Sequence, residues 1–579
     1  MDMQPIARRQ RPTGTLLSAR RALLPLWELA LVAWSAVGLS MVPAEAQTGT
    51  RPTLNVADNP TIDRDRLDRQ DPLLPPPSAA RTQSGPSVSV ASPTPTGSAG
   101  SALRGVRVEG SSLDPQVLAA AARSFAGAPL TRETLQKLAN ALTAVYSKSD
   151  IVFYSVSIPA QQMSGGVVNV QVTEGRIARY TLKKRTRSTP IRLIEAQMKP
   201  LLADNPTHKP QLERTLSLLR DIPGQTVKAD VLRTSDPDKF DLALDVTRKQ
   251  VEVTLNVNNR GVVNVTTGVQ AQLGVALNGI LREGDSTRMT ASVPFQPSRY
   301  QFYSASHATP LGASGTTLAL SGAYVRTRTR EPDVIGEAKQ FGLVVAHPLI
   351  RSNLRNLSLN ASLDGTNSNN YFLDTAFGGF HTRTLRVGAS WSVMGAKDGY
   401  AVSTSLSQGL DALGAREAVG YSERSYRKAN IQLVALKQLS KRVTARAGLR
   451  GQYTRDRLPT TERFALGGEG AGLAYRFGVL TADTAASGDV EISWRAMGTS
   501  GGRGLTPFAY VDGSTGRSYA RPAYGLDGRR YSLASAGVGV RVTPLRGWSA
   551  TAQLAVPLHS PDRRFGRDPR FFFSVTRSV

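Results

Sequence analysis

The sequence predicts α+β domains followed by a transmembrane antiparallel β-barrel of about 16 strands. The first observation behind this is alternation. From Val251 to the C-terminus, about 330 residues, apolar and small polar side chains take turns and helical periodicity is missing. Val251, Val253, Leu255 and Val257 share one phase; so do Trp548, Ala550, Ala552, Leu554 and Val556, and then Phe571, Phe573 and Val575. The second is that nothing beyond the N-terminal leader supplies the ~20 consecutive apolar residues of a spanning helix, so a chain that enters a bilayer must close as a barrel. The third is a compact signature just upstream, Pro159 to Ile177, in which a Gly-Gly turn, an alternating strand and a Glu-Gly-Arg segment close a small α+β unit. A soluble sandwich alternates too. Strands about ten residues long, small polar side chains on the second face and Gly/Asn/Asp-rich connections favour the barrel. At roughly 20 residues per strand with its loop, the span holds about 16 strands.

Taken in order, the N-terminus reads as an export signal. Arg8, Arg9, Arg11, Arg20 and Arg21 precede an apolar run, Leu29 to Val42, and Ala44-Glu45-Ala46 offers small residues for cleavage. The signal peptide is expected over 1–46, with Gln47 the first mature residue. Residues 47–102 form a Pro-rich linker, marked by Pro72, Pro75, Pro76, Pro77, Pro86, Pro93 and Pro95. Within it Thr61 to Gln70 suits a short helix, where Asp65 lies four residues before Arg69.

A first module is expected over 103–177, in the order strand, helix, helix, strand, strand. Val106 and Val108 alternate; Pro115 to Phe125 is helical; Thr131 caps a second helix that carries Leu135, Leu138, Ala139, Leu142 and Tyr146 on one face. Val152 to Ile158 and Val167 to Val172 are strands. A second module, 178–250, repeats the plan with helices over Ile191 to Leu202 and Gln211 to Leu219, a break at Asp221-Ile-Pro-Gly224, and strands over Thr226 to Arg233 and Asp241 to Thr247. The barrel takes 251–579.

These residues resemble the outer-membrane transporters of two-partner secretion, the haemolysin secretion/activation proteins. Gly127-Ala-Pro-Leu-Thr131, Leu138-Ala-Asn-Ala-Leu142 with Tyr146, Ile158-Pro-Ala-Gln161 and Val172-Thr-Glu-Gly-Arg-Ile177 carry the resemblance in the first module. In the second, Leu212-Glu-Arg214 and Leu218-Leu-Arg-Asp-Ile-Pro-Gly224 carry it. The pair looks like two polypeptide-transport-associated (POTRA) domains. The resemblance implies a Gram-negative outer-membrane protein with its POTRA domains in the periplasm, which exports an unfolded haemolysin- or adhesin-like partner. The client would dock by adding a strand to a POTRA sheet, and Gln161, Val168, Val170, Val172 and Glu174 are the residues placed there. It also implies that the linker helix, through Asp65, Arg66 and Arg69, plugs the pore.

Phe464-Ala-Leu-Gly-Gly468 looks like the start of the long loop that, in this family, folds back into the pore and carries a Val-Arg-Gly-Tyr tetrapeptide. Here Gly472-Leu-Ala-Tyr475 stands in its place, so Tyr475 is kept while Leu473 occupies the arginine position. The family's arginine pairs with an aspartate that matches Asp512 in Pro507-Phe-Ala-Tyr-Val-Asp-Gly513, and Arg476 is the nearest replacement cation. Gly467, Gly468, Tyr475, Arg476, Asp483 and Asp512 are therefore the expected pore-loop and wall residues.

Other classes fare worse. There is no cysteine, hence no disulfide and no thiolate metal site. His208, His307, His347, His381 and His559 lack metal-ligand spacing, and no phosphate-binding fingerprint occurs. Gly498-Thr-Ser-Gly-Gly502 fits G-x-S-x-G but sits between strands, where a nucleophile elbow has no helix to lead into. No enzyme activity, cofactor or metal is expected. The net charge of +27 is assigned to a basic lumen and strand ends rather than to a nucleic-acid site. Expected partners are the secreted client and outer-membrane lipid, with the protein acting as a monomer. The alternatives are an envelope assembly factor on the same plan and, behind it, a passive porin-type channel.

Overall fold

One long strand organises the N-terminal half of the structure, a computed structural model that describes residues 87–90, 102–161, 164–261, 265, 268–329, 334–372, 375–497, 503–561 and 567–579. The expected signal peptide, the plug helix with Asp65, Arg66 and Arg69, and residues 498–502 lie outside the described residues. The strand is β4, Val167–Leu182, preceded by β1, Ser87–Val90, β2, Gly105–Glu109, and β3, Phe153–Ile158. Its first half lies between β2, paired in parallel, and β3, paired antiparallel. Its second half pairs in parallel with β6, Lys239–Arg248, which pairs antiparallel with β5, Gln225–Arg233. The expected boundary at 177/178 thus falls inside a continuous strand.

Helices α1, Pro115–Ala122, and α2, Arg132–Lys148, cover the first half of the sheet. Both begin as their sequences dictate. Asp114 accepts from the Gln116 amide at 2.9 Å with Pro115 at the first helical position, and Thr131 accepts from the Thr134 amide at 3.2 Å. Leu135, Leu138, Ala139, Leu142 and Tyr146 turn inward against Val156, Val168 and Val170. Helices α3, Ile191–Leu202, and α4, Lys209–Asp221, do the same in the second half, where Ile194, Met198, Leu201, Leu216 and Leu219 meet Leu242 and Leu244.

Sixteen antiparallel strands then close a barrel. They are β7 Val251–Asn258, β8 Gln270–Asn278, β9 Ser286–Pro294, β10 Tyr300–Pro310, β11 Thr317–Arg328, β12 Val334–Arg351, β13 Arg355–Phe372, β14 Thr375–Met394, β15 Asp398–Gly409, β16 Arg427–Gln438, β17 Val443–Thr454, β20 Thr484–Trp494, β21 Gly504–Ser518, β22 Arg529–Thr543, β23 Trp548–His559 and β24 Arg570–Ser578. Closure is made by Ser574–Ser578 of β24 against Thr254–Asn258 of β7. The even strand number returns the C-terminus to the end at which the α+β domains enter.

The alternation read from the sequence is the inside–outside alternation of the wall. On β21 Val511 is 50% exposed and its neighbour Asp512 4%. The lumen receives the polar phase, in which Arg446 pairs with Asp489 and Arg541 pairs through both nitrogens with Glu491 at 2.6 Å. The basic residues do not all face inward: Arg326, near the end of β11, lies on the outer face opposite Glu337.

The second α+β domain is fastened to the barrel turns. Arg351 holds Asp221 of α4 at 2.6 and 2.7 Å, and Arg214 of α4 donates to the carbonyls of Ser314, Pro348 and Leu349 at 3.0 to 3.2 Å. The Leu-Glu-Arg and Leu-Leu-Arg-Asp motifs of the sequence therefore include the residues that seat this domain.

Candidate functional site

Between β17 and β20 the chain does not turn back directly. It runs from Arg455 to Asp483, leaves the barrel end opposite the α+β domains, and folds inward. A two-stranded stem, β18 Phe464–Leu466 with β19 Leu480–Ala482, carries a tip over 467–479. The tip needs its glycines. Gly467 has φ +90°, and a Cβ there would stand 2.5 Å from the Arg476 carbonyl; Gly472 has φ +107°.

Three anchors hold this loop. At the tip, Asp512 on the inner face of β21 accepts from the Gly472 amide at 3.0 Å and the Leu473 amide at 2.8 Å, while its other oxygen accepts from the Ser535 hydroxyl. The Ala474 amide donates to Ser535 Oγ at 3.3 Å, and Ser514 donates to the Ala471 carbonyl at 2.7 Å. The wall thus grips main chain. Tyr475 is buried and donates its hydroxyl to the His559 carbonyl at 3.0 Å. Leu473 and Tyr475 pack with Leu466, Leu533, Ala555 and Phe572.

Arg476 is not a partner of Asp512, which corrects the expected ion pair. Arg570 is a charged neighbour of Arg476. The physical reason lies in the turn at Gly472. It presents two successive N–H groups to the carboxylate, a small anion nest, so no side-chain cation is needed where Leu473 replaces arginine.

The incoming arm carries Glu462, 2% exposed. Its carboxylate meets Lys428 Nζ of β16 at 2.8 Å and Arg386 of β14 at 3.0 and 3.2 Å; Arg386 Nε also donates to Asp364 at 2.9 Å. Its carbonyl accepts from Lys428 and from Gln452, each at 3.1 Å. The outgoing arm carries Asp483, fully buried. Arg521, from the β21–β22 connection, binds it at 3.0 and 3.2 Å, and the Leu458 and Tyr519 amides donate at 2.9 and 2.8 Å. Arg521 also lies over the Tyr421 ring at 4.8 Å. Both carboxylates are paired and hydrogen-bonded, as burial of charge demands.

Beside these anchors, in the loop joining β15 and β16 outside the spanning segments, Glu417 is largely buried. Burial first, and then the Glu462 charge, push its carboxyl up to about 7, against a lowering hydrogen bond from Ser422 and the attraction of Arg424. Its Oε1 is buried without a hydrogen-bond partner among the described residues.

Of the predicted loop and wall residues, the structure brings Gly467, Gly468, Tyr475, Asp483 and Asp512 into this one assembly and leaves Arg476 aside. Glu462, Arg386, Lys428, Arg521 and Ser535 were not foreseen. Glu462 stands two residues before the Phe-Ala-Leu-Gly-Gly motif, but its partners are 34 and 76 residues away in sequence, and nothing local announces them.

The residues assigned to client binding need correction. Val168, Val170 and Val172 are buried on β4, a strand paired on both sides, and belong to the first domain's core. Glu174 accepts from Tyr146 at 2.7 Å and from the Ser112 amide at 2.8 Å. The Gln161 amide bonds both main-chain groups of Asn169, at 2.7 and 2.8 Å. All five hold the domain. The strand beside β4, β3, has its outer edge paired in parallel with β1, Ser87 to Val90 against Ser155 to Ile158.

Comparison with known proteins gives a consistent picture. Residues 241–542 match the family of haemolysin secretion/activation proteins ShlB/FhaC/HecB, and residues 101–175 match the ShlB-type POTRA domain. Among solved structures the fold is similar to CdiB from Escherichia coli, at 17% identity and a TM-score of 0.70 over 89% of this chain and 95% of that one. It is similar also to CdiB from Acinetobacter baumannii, at 17% identity and a TM-score of 0.61 with the same coverage. A search of curated protein sequences finds no match.

Proposed function

The chain belongs to the haemolysin secretion/activation family, the outer-membrane translocators of two-partner secretion, and from that premise we propose how it handles its secreted partner. The client arrives unfolded in the periplasm, where the POTRA domains lie. It docks by strand addition at the β3 edge that β1 occupies in the resting state. It then passes through the lumen as the in-folded loop swings away from the wall, and it folds outside as a monomeric barrel closes behind it.

The observation that carries this reading is the way the loop is fixed. It is fixed at the buried carboxylates Asp512, Glu462 and Asp483, at a few further hydrogen bonds and by a small apolar cluster around Leu473 and Tyr475 rather than by continuous pairing with the wall, so a limited set of contacts decides whether it stays. Beta1 supports the docking step, because four residues of main-chain pairing contribute only a few kcal/mol and a longer client strand can replace them. Loss of one or two large exported proteins on gene deletion, restored from a plasmid, tests the assignment. A broad loss of outer-membrane proteins would instead identify an assembly factor, and an unchanged secretome a passive channel.

A further inference from the structure

The outer face of the barrel carries a group of arginines whose surroundings are unlike those of the lumen. Along β21 the outward phase runs Leu505, Pro507, Ala509, Val511, Gly513, Thr515, Arg517, from apolar to hydroxyl to cation. On β22 it runs Val538, Ala536, Ala534, Ser532, Arg530 toward the same rim, and on β17 Leu449, Gly451, Tyr453, with Arg455 just past the strand's end. Arg427 opens β16 on the same side. Twelve residues at ~3.4 Å, tilted by ~40°, put Arg517 about 30 Å along the membrane normal from Leu505. That clears an apolar band of ~25 Å and reaches the level of the headgroups.

Arg517 and Arg530 are paired directly across the two strands. Like charges so placed repel, and none of Arg427, Arg455, Arg517 and Arg530 forms an ion pair with a carboxylate among the described residues. Arg517 lies over the Tyr519 ring at 5.6 Å, Arg455 Nε donates to Tyr453 at 3.2 Å and Arg427 Nε donates to Gln408 at 3.1 Å. The nearby Asp456 is engaged by the Arg427 amide at 2.6 Å. The same wall solves the problem differently elsewhere, since the outward Arg326 of β11 faces Glu337 of β12 at 3.7 Å. The cross-strand pair Arg517 and Arg530 thus brings two guanidinium side chains to headgroup height. The guanidinium fork matches phosphate oxygens in pairs.

We infer that the outer rim of β16–β22 is a binding surface for phosphorylated lipid headgroups of the outer leaflet, with Arg517 and Arg530 gripping one phosphate between them. Bound lipid would tether the strands that carry Asp512 and Ser535, the wall on which the loop tip rests.

The test uses the full-length protein folded into phosphatidylcholine vesicles with or without about 10 mol% diphosphorylated lipid A, read by the temperature at which the heat-modifiable folded band is lost. Lipid A is expected to raise that midpoint by about 2–4 °C. The rise should shrink at high salt, vanish in R517Q/R530Q and persist in R326Q. No rise in the unaltered protein, or an equal rise in the double variant, overturns the inference. So does an equal rise given by inorganic phosphate with phosphatidylcholine alone, which would make this a site for free anions. If R517Q/R530Q fails to fold, R517K/R530K replaces it: it keeps charge but not the forks, and a full response from it also rejects the proposal.

Discussion

Asp512→Asn and Asp512→Ala separate a main-chain grip from an ion pair. In the structure Asp512 Oδ2 receives the Gly472 and Leu473 amides, and Oδ1 receives Ser535. Asparagine keeps one oxygen for both amides and turns an N–H toward the Ser535 hydroxyl, which accepts as well as it donates. Its cost is the change from charged to neutral acceptor, roughly 1–2 kcal/mol over the two bonds. Alanine removes every acceptor and leaves two buried amides and a hydroxyl unpaired, about 1–3 kcal/mol for each, so roughly 3–9 kcal/mol against the seated loop. The ratio of loop-out to loop-in should rise on the order of a hundredfold or more for alanine and by about tenfold for asparagine. Single-channel conductance in planar bilayers, with protease cleavage within 463–482 as a second readout, measures this directly, and heat-modifiable mobility reports barrel integrity. Alanine should give long open events and rapid cleavage, with secretion impaired; asparagine should stay near the unaltered protein. Equal behaviour of the two variants would refute the reasoning, because only a partner that needs the full negative charge predicts it.

Glu462→Ala takes from Lys428 its buried carboxylate and leaves Arg386 with Asp364 as its acidic partner, at a cost of about 3–5 kcal/mol, and should loosen the loop as Asp512→Ala does; adding Lys428→Met should recover part of the loss in the same cleavage assay. Prolines at both Val88 and Ser89 remove the β1 donor that faces β3, whichever of the two it is, and should tighten binding of a client N-terminal fragment about tenfold or more by titration. Glu417 has a folded pKa raised to about 7 from 4.5, so the folded loop binds the proton more tightly than the open one. Its contribution is complete below pH ~4.5 and is lost as pH rises to ~7, roughly 3 kcal/mol at most. Hydrogen-exchange protection over 410–426, taken relative to the intrinsic base-catalysed rate at each pH, should therefore be lower at pH 8 than at pH 5, and Glu417→Gln should flatten that difference.

The features legible in the sequence are those that repeat at short range. A period of two read the wall strands because lipid on one side and a polar lumen on the other act on every residue in turn. Thr131, Asp114 and the inward face of α2 were legible because caps and a helical stripe are settled within a few positions. Phe464-Ala-Leu-Gly-Gly468 and Tyr475 marked the loop through their resemblance to the family's loop motif. The errors share a cause as well. Val168, Val170 and Val172 show a strand's alternation, but that pattern does not say whether the strand is an edge or a centre; neighbours 15 or 60 residues away decide it. Arg476 was the nearest cation by number, yet the turn at Gly472 pointed amides, not a side chain, at Asp512.

The sequence by itself therefore determined the α+β units and the barrel after them, because both follow from local periodicity; the loop and the acids Asp512 and Asp483 were pointed to only by resemblance to the family's motifs. Only the tertiary structure decided what those acids hold. Glu462 with Arg386 and Lys428, Asp483 with Arg521, Ser535 beside Asp512, and β1 lying along β3 join residues that closure of the sheet alone brings together; a buried charge is stable only beside partners that folding delivers, and the chain's order does not state which they are.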